Sequence, residues 1–167
     1  MTLSAAAALA VFVPMVIEAA VAARHDRALR GLGAFEPAGD VYRAMQAAYP
    51  AAFLTMLAEG AWRGVEPDQL SIIGASVFLV AKALKYWAIA ALGPRWTFRV
   101  LVPPGSTRIV RGPYRWISHP NYLAVALELA GVAIAMHARV TGPLSVVGFG
   151  YLMWRRVQIE EKALAGR

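Results

Sequence analysis

The sequence has no cysteine. That excludes a disulfide framework, a thiolate metal site and a cysteine nucleophile, and no metal site of another kind is expected. Charge is also scarce. Asp, Glu, Lys and Arg make up 16% of the residues, where soluble domains carry nearer a quarter. Acidic residues are the scarcer sign, 10 against 17 basic ones, for a net charge of +7. No basic segment precedes the first apolar run, and the positive cluster Arg24-His25-Asp26-Arg27 follows it instead. A secretory signal has the opposite order, so this run reads as a retained membrane helix.

What is present in quantity is apolar. Hydrophobic residues reach 59% and the mean hydropathy is +0.50, the composition of an integral membrane protein. A helix crossing the hydrocarbon core needs about 20 mostly apolar residues. Five segments qualify in varying degree: 3–23, with Pro14 as a kink and Glu18 as its one charge; 41–58, weakened by Arg43, Gln46 and Pro50; 70–92, apolar except for Lys82 and Lys85; 121–136, shorter and carrying Glu128; and 144–159. Polar stretches at 29–40, 59–68 and 93–120 and a tight turn at Thr141-Gly142-Pro143 connect them. The expected fold is all-α and polytopic, a single domain of about five transmembrane helices.

Charge placement sets its orientation. With the N-terminus outside and the C-terminus cytoplasmic, every Lys and Arg outside the third segment falls on the cytoplasmic side except Arg63 and Arg139. The outer loop holds Glu59, Glu66 and Asp68. The basic balance is then a matter of topology, and nucleic acid is not an expected partner. The expected location is the bacterial inner membrane.

The densest chemistry lies in Arg111-Gly112-Pro113-Tyr114-Arg115-Trp116-Ile117-Ser118-His119-Pro120-Asn121-Tyr122. Two prolines and a glycine prevent one continuous helix there. Pro120 fits the first position of the fourth helix, and the free N–H groups of a helix start favour an anion. His119, Arg111 and that helix start form a candidate carboxylate cradle. The turn after the fourth segment makes an antiparallel hairpin with the fifth, which brings the distant pair Glu160-Glu161 to the same boundary. Arg156 and Glu160, four apart, share a helix face. On the bland reading these are a solvated helix end with an ordinary ion pair, and Tyr114, Trp116 and Tyr122 are belt aromatics. On the functional reading a carboxylate beside a basic groove receives an ammonium or sulfonium group.

Gly112-Pro113-Tyr114, His119-Pro120-Asn121-Tyr122 and Glu160-Glu161-x-x-Leu164 together resemble the isoprenylcysteine carboxyl methyltransferase family, small integral-membrane enzymes that use S-adenosylmethionine. The upstream runs from Leu84 to Ile89, Leu92 to Thr97 and Val102 to Gly105 are similar to its bacterial branch, which includes O-methyltransferases of long-chain alkylpyrones and alkylresorcinols. The resemblance covers roughly residues 83–164, and 83–167 is the expected cofactor-binding part. Ser118 stands where many relatives have Arg, Ala124 where many have a glycine, and many continue past the paired glutamates with an aromatic tail. This last departure suggests a smaller or more open lipid-facing entrance.

The resemblance implies S-adenosylmethionine as cofactor, held by Tyr114, His119, Pro120, Asn121, Tyr122, Glu160 and Glu161. The acceptor it implies is an amphiphile entering from the bilayer, with Arg111 or Arg156 orienting its enolate or carboxylate. Glu128 shares a helix face with Asn121; it is a candidate substrate contact, with neutral packing as the alternative. Glu18, Lys82 and Lys85 are weighed the same way, Lys85 with snorkelling to the headgroups as its first role. A phospholipid N-methyltransferase and a non-enzymatic membrane scaffold are the rival readings. The small face at Leu129, Ala130 and Gly131 suits close helix contact within or between chains, leaving the oligomeric state open.

Overall fold

Helix formation follows the apolar runs but outlasts them at the ends. In the computed structural model, residues 2–105 and 109–165 are described, except for the side chains of 163–165. Arg108 and Arg167, counted above among the cytoplasmic charges, and the Leu164 side chain lie outside the described set. Five α-helices follow in order: α1 Leu3–Gly31, α2 Tyr42–Trp62, α3 Gln69–Leu92, α4 Pro120–Ala135 and α5 Thr141–Ala165. Two short 3-10 turns, Gly93–Arg95 and Gly112–Arg115, lie between α3 and α4. Among the described residues there is no strand, only a bridge pairing Phe35 with Val102.

Three ends differ from expectation. The polar run after residue 23 does not stop α1, which continues to Gly31; Arg and Ala are good helix formers, and Asp26 pairs with Arg30 one turn on. α2 runs past Ala58 to Trp62, with Glu59 paired to Arg63 in the same way. Thr141, Gly142 and Pro143 are not the turn. They open α5, because proline is tolerated in a first turn that needs no N–H. The connection is residues 136–140, where His137 takes a positive φ of 49°. The antiparallel hairpin itself is present.

The helices run alternately up and down. At the turn end, Ser71 Oγ donates to the Ala135 carbonyl at 3.1 Å. There too the Glu59 carboxylate accepts from the backbone N–H and hydroxyl of Thr141 at 2.8 and 2.7 Å, capping the start of α5. Asp68 caps α3 by accepting from the Ser71 N–H at 2.8 Å; that bond above all holds its carboxyl below the usual aspartate range. The core between the helices is Phe53 and Met56 of α2, Leu129 of α4, Met136, and Phe149 and Met153 of α5.

α3 and α4 approach most closely. A Cβ on Gly131 would lie 2.7 Å from the Phe78 nitrogen, and one on Gly74 2.3 Å from that of Ala135. The small face of α4 is thus used within the chain. α1 and α3 with its following turn are long and apolar enough to cross a membrane, and α4 is a shorter apolar helix. Only 17% and 33% of the most apolar windows of α1 and α3 are buried, whereas the core helix of a soluble bundle would be mostly buried. Leu9, Val13, Val16 and Ile17 of α1 and Ile72, Leu79 and Val80 of α3 are exposed.

Charges occupy the inside. Lys82 Nζ lies 2.8 Å from Glu18 Oε1 and 3.1 Å from Glu128 Oε1. Lys85 Nζ lies 2.7 Å from Glu18 Oε2 and 3.2 Å from Glu128 Oε2. Four charges of alternating sign therefore close a ring across α1, α3 and α4, and the Tyr49 hydroxyl of α2 donates to Glu128. All four charged residues are buried. Lys85 does not snorkel: two carboxylates within the bundle hold it, and reaching the headgroups would leave both short of a cation.

Candidate active site

At the end opposite the α4–α5 connection, the first turn of α4 meets the last turns of α5. The approach to α4 is folded against α3. Gly112, with φ +58°, sits where a Cβ would come 2.8 Å from the Ala91 Cβ, so only glycine allows both the backbone conformation and the contact. Arg111 Nε donates to the Ala91 carbonyl at 2.7 Å, close to the C-terminus of α3, where unpaired carbonyls favour a cation. Trp87 and Trp116 pack at 5.8 Å between ring centroids. The stretch then turns at Pro113, whose carbonyl accepts from the Ile117 N–H at 3.0 Å, and delivers His119 to the N-cap of α4 with Pro120 behind it.

Two contacts join the helices. His119 Nε2 donates to Glu161 at 3.2 Å. The Tyr122 hydroxyl donates to Glu160 Oε2 at 2.9 Å and accepts from Arg156 Nε at 2.8 Å. The expected Arg156–Glu160 pair is therefore bridged through a tyrosine oxygen. The ring of His119 stacks on that of Tyr122 at 5.5 Å. Pro120 and Arg156 are buried, while Glu161 is exposed. Tyr114 completes this side; burial first, and the Glu160 charge second, raise its phenol above the ordinary range.

The structure thus brings together Tyr114, His119, Pro120, Tyr122, Arg156, Glu160 and Glu161. Asn121, beside Tyr122 on the first turn of α4, has its Oδ1 buried and without a hydrogen-bond partner. A buried amide oxygen left so is costly unless something donates to it. Arg111 is not brought to the group, because its Nε is engaged at Ala91. Glu128 is not either. It lies six residues beyond Tyr122, about 9 Å along α4, with its carboxylate in the charge ring. The anion cradle expected from the start of α4 is reduced as well, since the His119 carbonyl takes the N–H groups of Tyr122 and Leu123, both at 3.2 Å, and Pro120 has none.

Two residues escaped the sequence reading. Tyr49 gave no signal beyond its place in an apolar run. Asp40, just ahead of α2, carried the ordinary mark of a helix start. Its Oδ1 accepts from the Tyr42 N–H and its Oδ2 from the Val100 N–H, each at 3.1 Å. Around it, Arg99 reaches Glu36 at 2.8 Å and Asp26 at 3.3 Å. Burial pushes the Glu36 carboxyl upward, but hydrogen bonds from Arg30 and Arg99 outweigh it and hold the group below the usual range.

An arrangement of two carboxylates, a buried guanidinium and a buried amide oxygen without a partner can bind a zwitterionic cationic ligand beside an anionic one. Comparison with known proteins points the same way. The chain is 32% identical to YpbQ, an uncharacterized protein of Bacillus subtilis, over 88% of both chains. It is 23% identical to an uncharacterized protein of Haemophilus influenzae, over 87% of this chain and 85% of the other. No solved structure matches it. The sequence profile of the isoprenylcysteine carboxyl methyltransferase (ICMT) family matches residues 72–166, which takes in α3 from its fourth residue, both 3-10 turns, α4 and α5, and the chain belongs to that family.

Proposed function

We propose that this protein is an S-adenosylmethionine-dependent integral membrane methyltransferase whose site lies at the cytoplasmic boundary of the bacterial inner membrane. Family membership supports membrane methyltransferase activity. The observation that carries the assignment to this site is the junction of α4 and α5, where His119 and Tyr122 hold Glu161 and Glu160 at 3.2 and 2.9 Å.

The residues fit the cofactor. S-adenosylmethionine, when bound, supplies a methyl group already activated by a sulfonium. Glu160 and Glu161 are the carboxylates suited to its ammonium and sulfonium charges, and the orphaned Asn121 Oδ1 accepts from an ammonium or an exocyclic amine. His119, by donating to Glu161, fixes that carboxylate at the mouth of the site. The Tyr122 hydroxyl does the same for Glu160, its donation strengthened because Arg156 donates to the same oxygen. Buried Arg156 would orient the acceptor's anionic head, and methyl transfer would require donor and acceptor to be brought together away from water.

The acceptor is an amphiphile from the bilayer with an acidic oxygen: a long-chain polyketide such as an alkylpyrone, or a prenylcysteine-type carboxylate. Resemblance to the bacterial branch favours the first. Such oxygens ionise readily, which suits a site whose groups position charges and offer no dedicated strong base.

Equilibrium binding of S-adenosylmethionine to the detergent-purified protein tests this reading. Saturable binding is expected, weakened at least about 10-fold in Glu160→Ala, since a hydrogen bond to a charged group contributes about 1.5–3 kcal/mol, and weakened also in His119→Ala. No saturable binding by the wild type, or equal affinity in both variants, sinks the enzyme reading and leaves a membrane scaffold.

A further inference from the structure

Arg156 is the buried cation of the site, and what lies behind it comes from the other half of the chain. The loop between α1 and α2 is fastened to the connection that follows α3. Phe35 and Val102 exchange backbone hydrogen bonds at 3.2 and 3.0 Å. Arg99 spans Asp26 and Glu36 at 3.3 and 2.8 Å, and its guanidinium lies 4.1 Å from the centre of the Tyr42 ring. His25 Nδ1 donates to the Trp96 carbonyl at 2.8 Å. At the end of that fastened loop stands Asp40. Its side chain is only 4% exposed, and its Oδ1 lies 3.8 Å from Arg156 Nη1. Both oxygens also accept backbone N–H groups, of Tyr42 and Val100, so the carboxylate cannot rotate away from the arginine.

We propose that Asp40 is a positioning residue of the acceptor site: it fixes the guanidinium of Arg156 and so couples the α1–α2 loop to the orientation of the acceptor. The inference rests on the methyltransferase reading above. A single chain of polar groups runs Asp40, Arg156, Tyr122, Glu160, from a loop outside the family-matched segment to the cofactor carboxylate. Arg156 has five donors in a rigid fork. Tyr122 takes the Nε–H, Asp40 faces Nη1, and the plane of the fork is then defined by contacts at two of its edges. That leaves its remaining donors aimed in one direction, which is what recognition of a planar enolate or carboxylate requires. Lacking Asp40, the arginine keeps, among the described residues, only the Tyr122 bond and turns about it. The Arg156–Tyr122 bond is kept, and with it the holds of Tyr122 on Glu160 and of His119 on Glu161, so the consequence falls on the acceptor.

The test compares Asp40→Asn, Asp40→Glu, Arg156→Lys and the double variant Asp40→Asn/Arg156→Lys. Binding of S-adenosylmethionine is measured at equilibrium, and kcat and KM with a long-chain alkylpyrone as acceptor. Asp40→Asn is expected to keep cofactor affinity within about 2-fold and to raise the acceptor KM about 10-fold with kcat little changed, the mark of lost acceptor binding. Asp40→Glu is expected to recover most of the loss. The double variant is expected to be no worse than Arg156→Lys, because the two residues act through one contact. An unchanged acceptor KM in Asp40→Asn overturns the proposal. So does an equal loss of cofactor affinity, which indicates general loosening, or full additivity in the double variant. A wild-type protein that binds cofactor but does not methylate or bind the alkylpyrone overturns the acceptor assignment and this inference with it. One that binds no cofactor sinks the enzyme reading first.

Discussion

Lys85 carries a positive charge inside an apolar bundle, and the cost of burying it is offset only because its partners are fixed on two other helices. An isolated ammonium transferred from water into such a setting is unfavourable by several kcal/mol. Here each lysine bridges both carboxylates and each carboxylate both lysines, so the ring is neutral. Removing one member strands a charge. Lys85→Met should lower unfolding stability in mixed micelles by about 3–5 kcal/mol, read from a denaturing-detergent titration. Replacing Glu18, Lys82, Lys85 and Glu128 together by Met should lose far less than that, because no unpaired charge then remains; a loss equal to that of the single variant would show the ring to be stabilising in its own right. The sequence shows four ionisable residues in apolar runs and nothing of their mutual distances. Snorkelling was the natural expectation for Lys85 because a helix read alone offers its lysine only the headgroups. Its partners are 43 and 67 positions away, and only the helix arrangement makes them neighbours.

At the scale of the element, α3 and α4 form the frame that carries the site. α3 holds Ala91, to which Arg111 is tied, and α4 holds His119, Asn121 and Tyr122 on and next to its first turn. Their separation is set by two glycines that meet backbone rather than flexible side chains: a Cβ on Gly74 would lie 2.3 Å from the Ala135 nitrogen and 2.5 Å from the Gly131 carbonyl oxygen. Backbone cannot rotate aside, so Gly74→Ala should separate the pair and destabilise the protein by about 1–3 kcal/mol, with cofactor affinity falling as α4 shifts. Gly148 of α5 faces open space. Gly148→Ala should be neutral or stabilising by up to about 1 kcal/mol from helix propensity alone. Matched unfolding titrations of the two variants check this; equal behaviour would show that the close approach carries no strain. The helices themselves were legible, since apolar length marks them, and so was the hairpin that brings Glu160 and Glu161 to His119 and Tyr122. The ends were not. Hydropathy locates the apolar stretch, whereas a helix ends where its backbone bonds and caps end. That is why α1 runs on to Gly31 and α5 starts at Thr141.

For the molecule as a whole, many apolar side chains of α1 and α3 face outward, while four buried charges face one another beside an apolar core. The five helices alternate, so the loop at 32–41 and the connection at 93–119 share one end with the site, while the loop at 63–68 and the α4–α5 connection share the other. Basic residues gather at the site end, where Arg30, Arg95, Arg99, Arg111, Arg115 and Arg155 lie. Under the proposed function, the positive-inside rule predicts that end in the cytoplasm and Glu66 and Asp68 outside. The absence of cysteine makes this directly measurable, because any single introduced thiol is the protein's only one. Ala38 and Glu66 are both exposed and lie in loops at opposite ends. In intact spheroplasts a membrane-impermeant maleimide should label Glu66→Cys at once and Ala38→Cys only after permeabilisation. The reverse pattern would invert the protein and put Glu160 and Glu161 on the outer side of the membrane, against the proposed function. Labelling of both in intact cells would remove the alternating topology altogether, and with it the argument that the bilayer delivers the acceptor to the junction of α4 and α5.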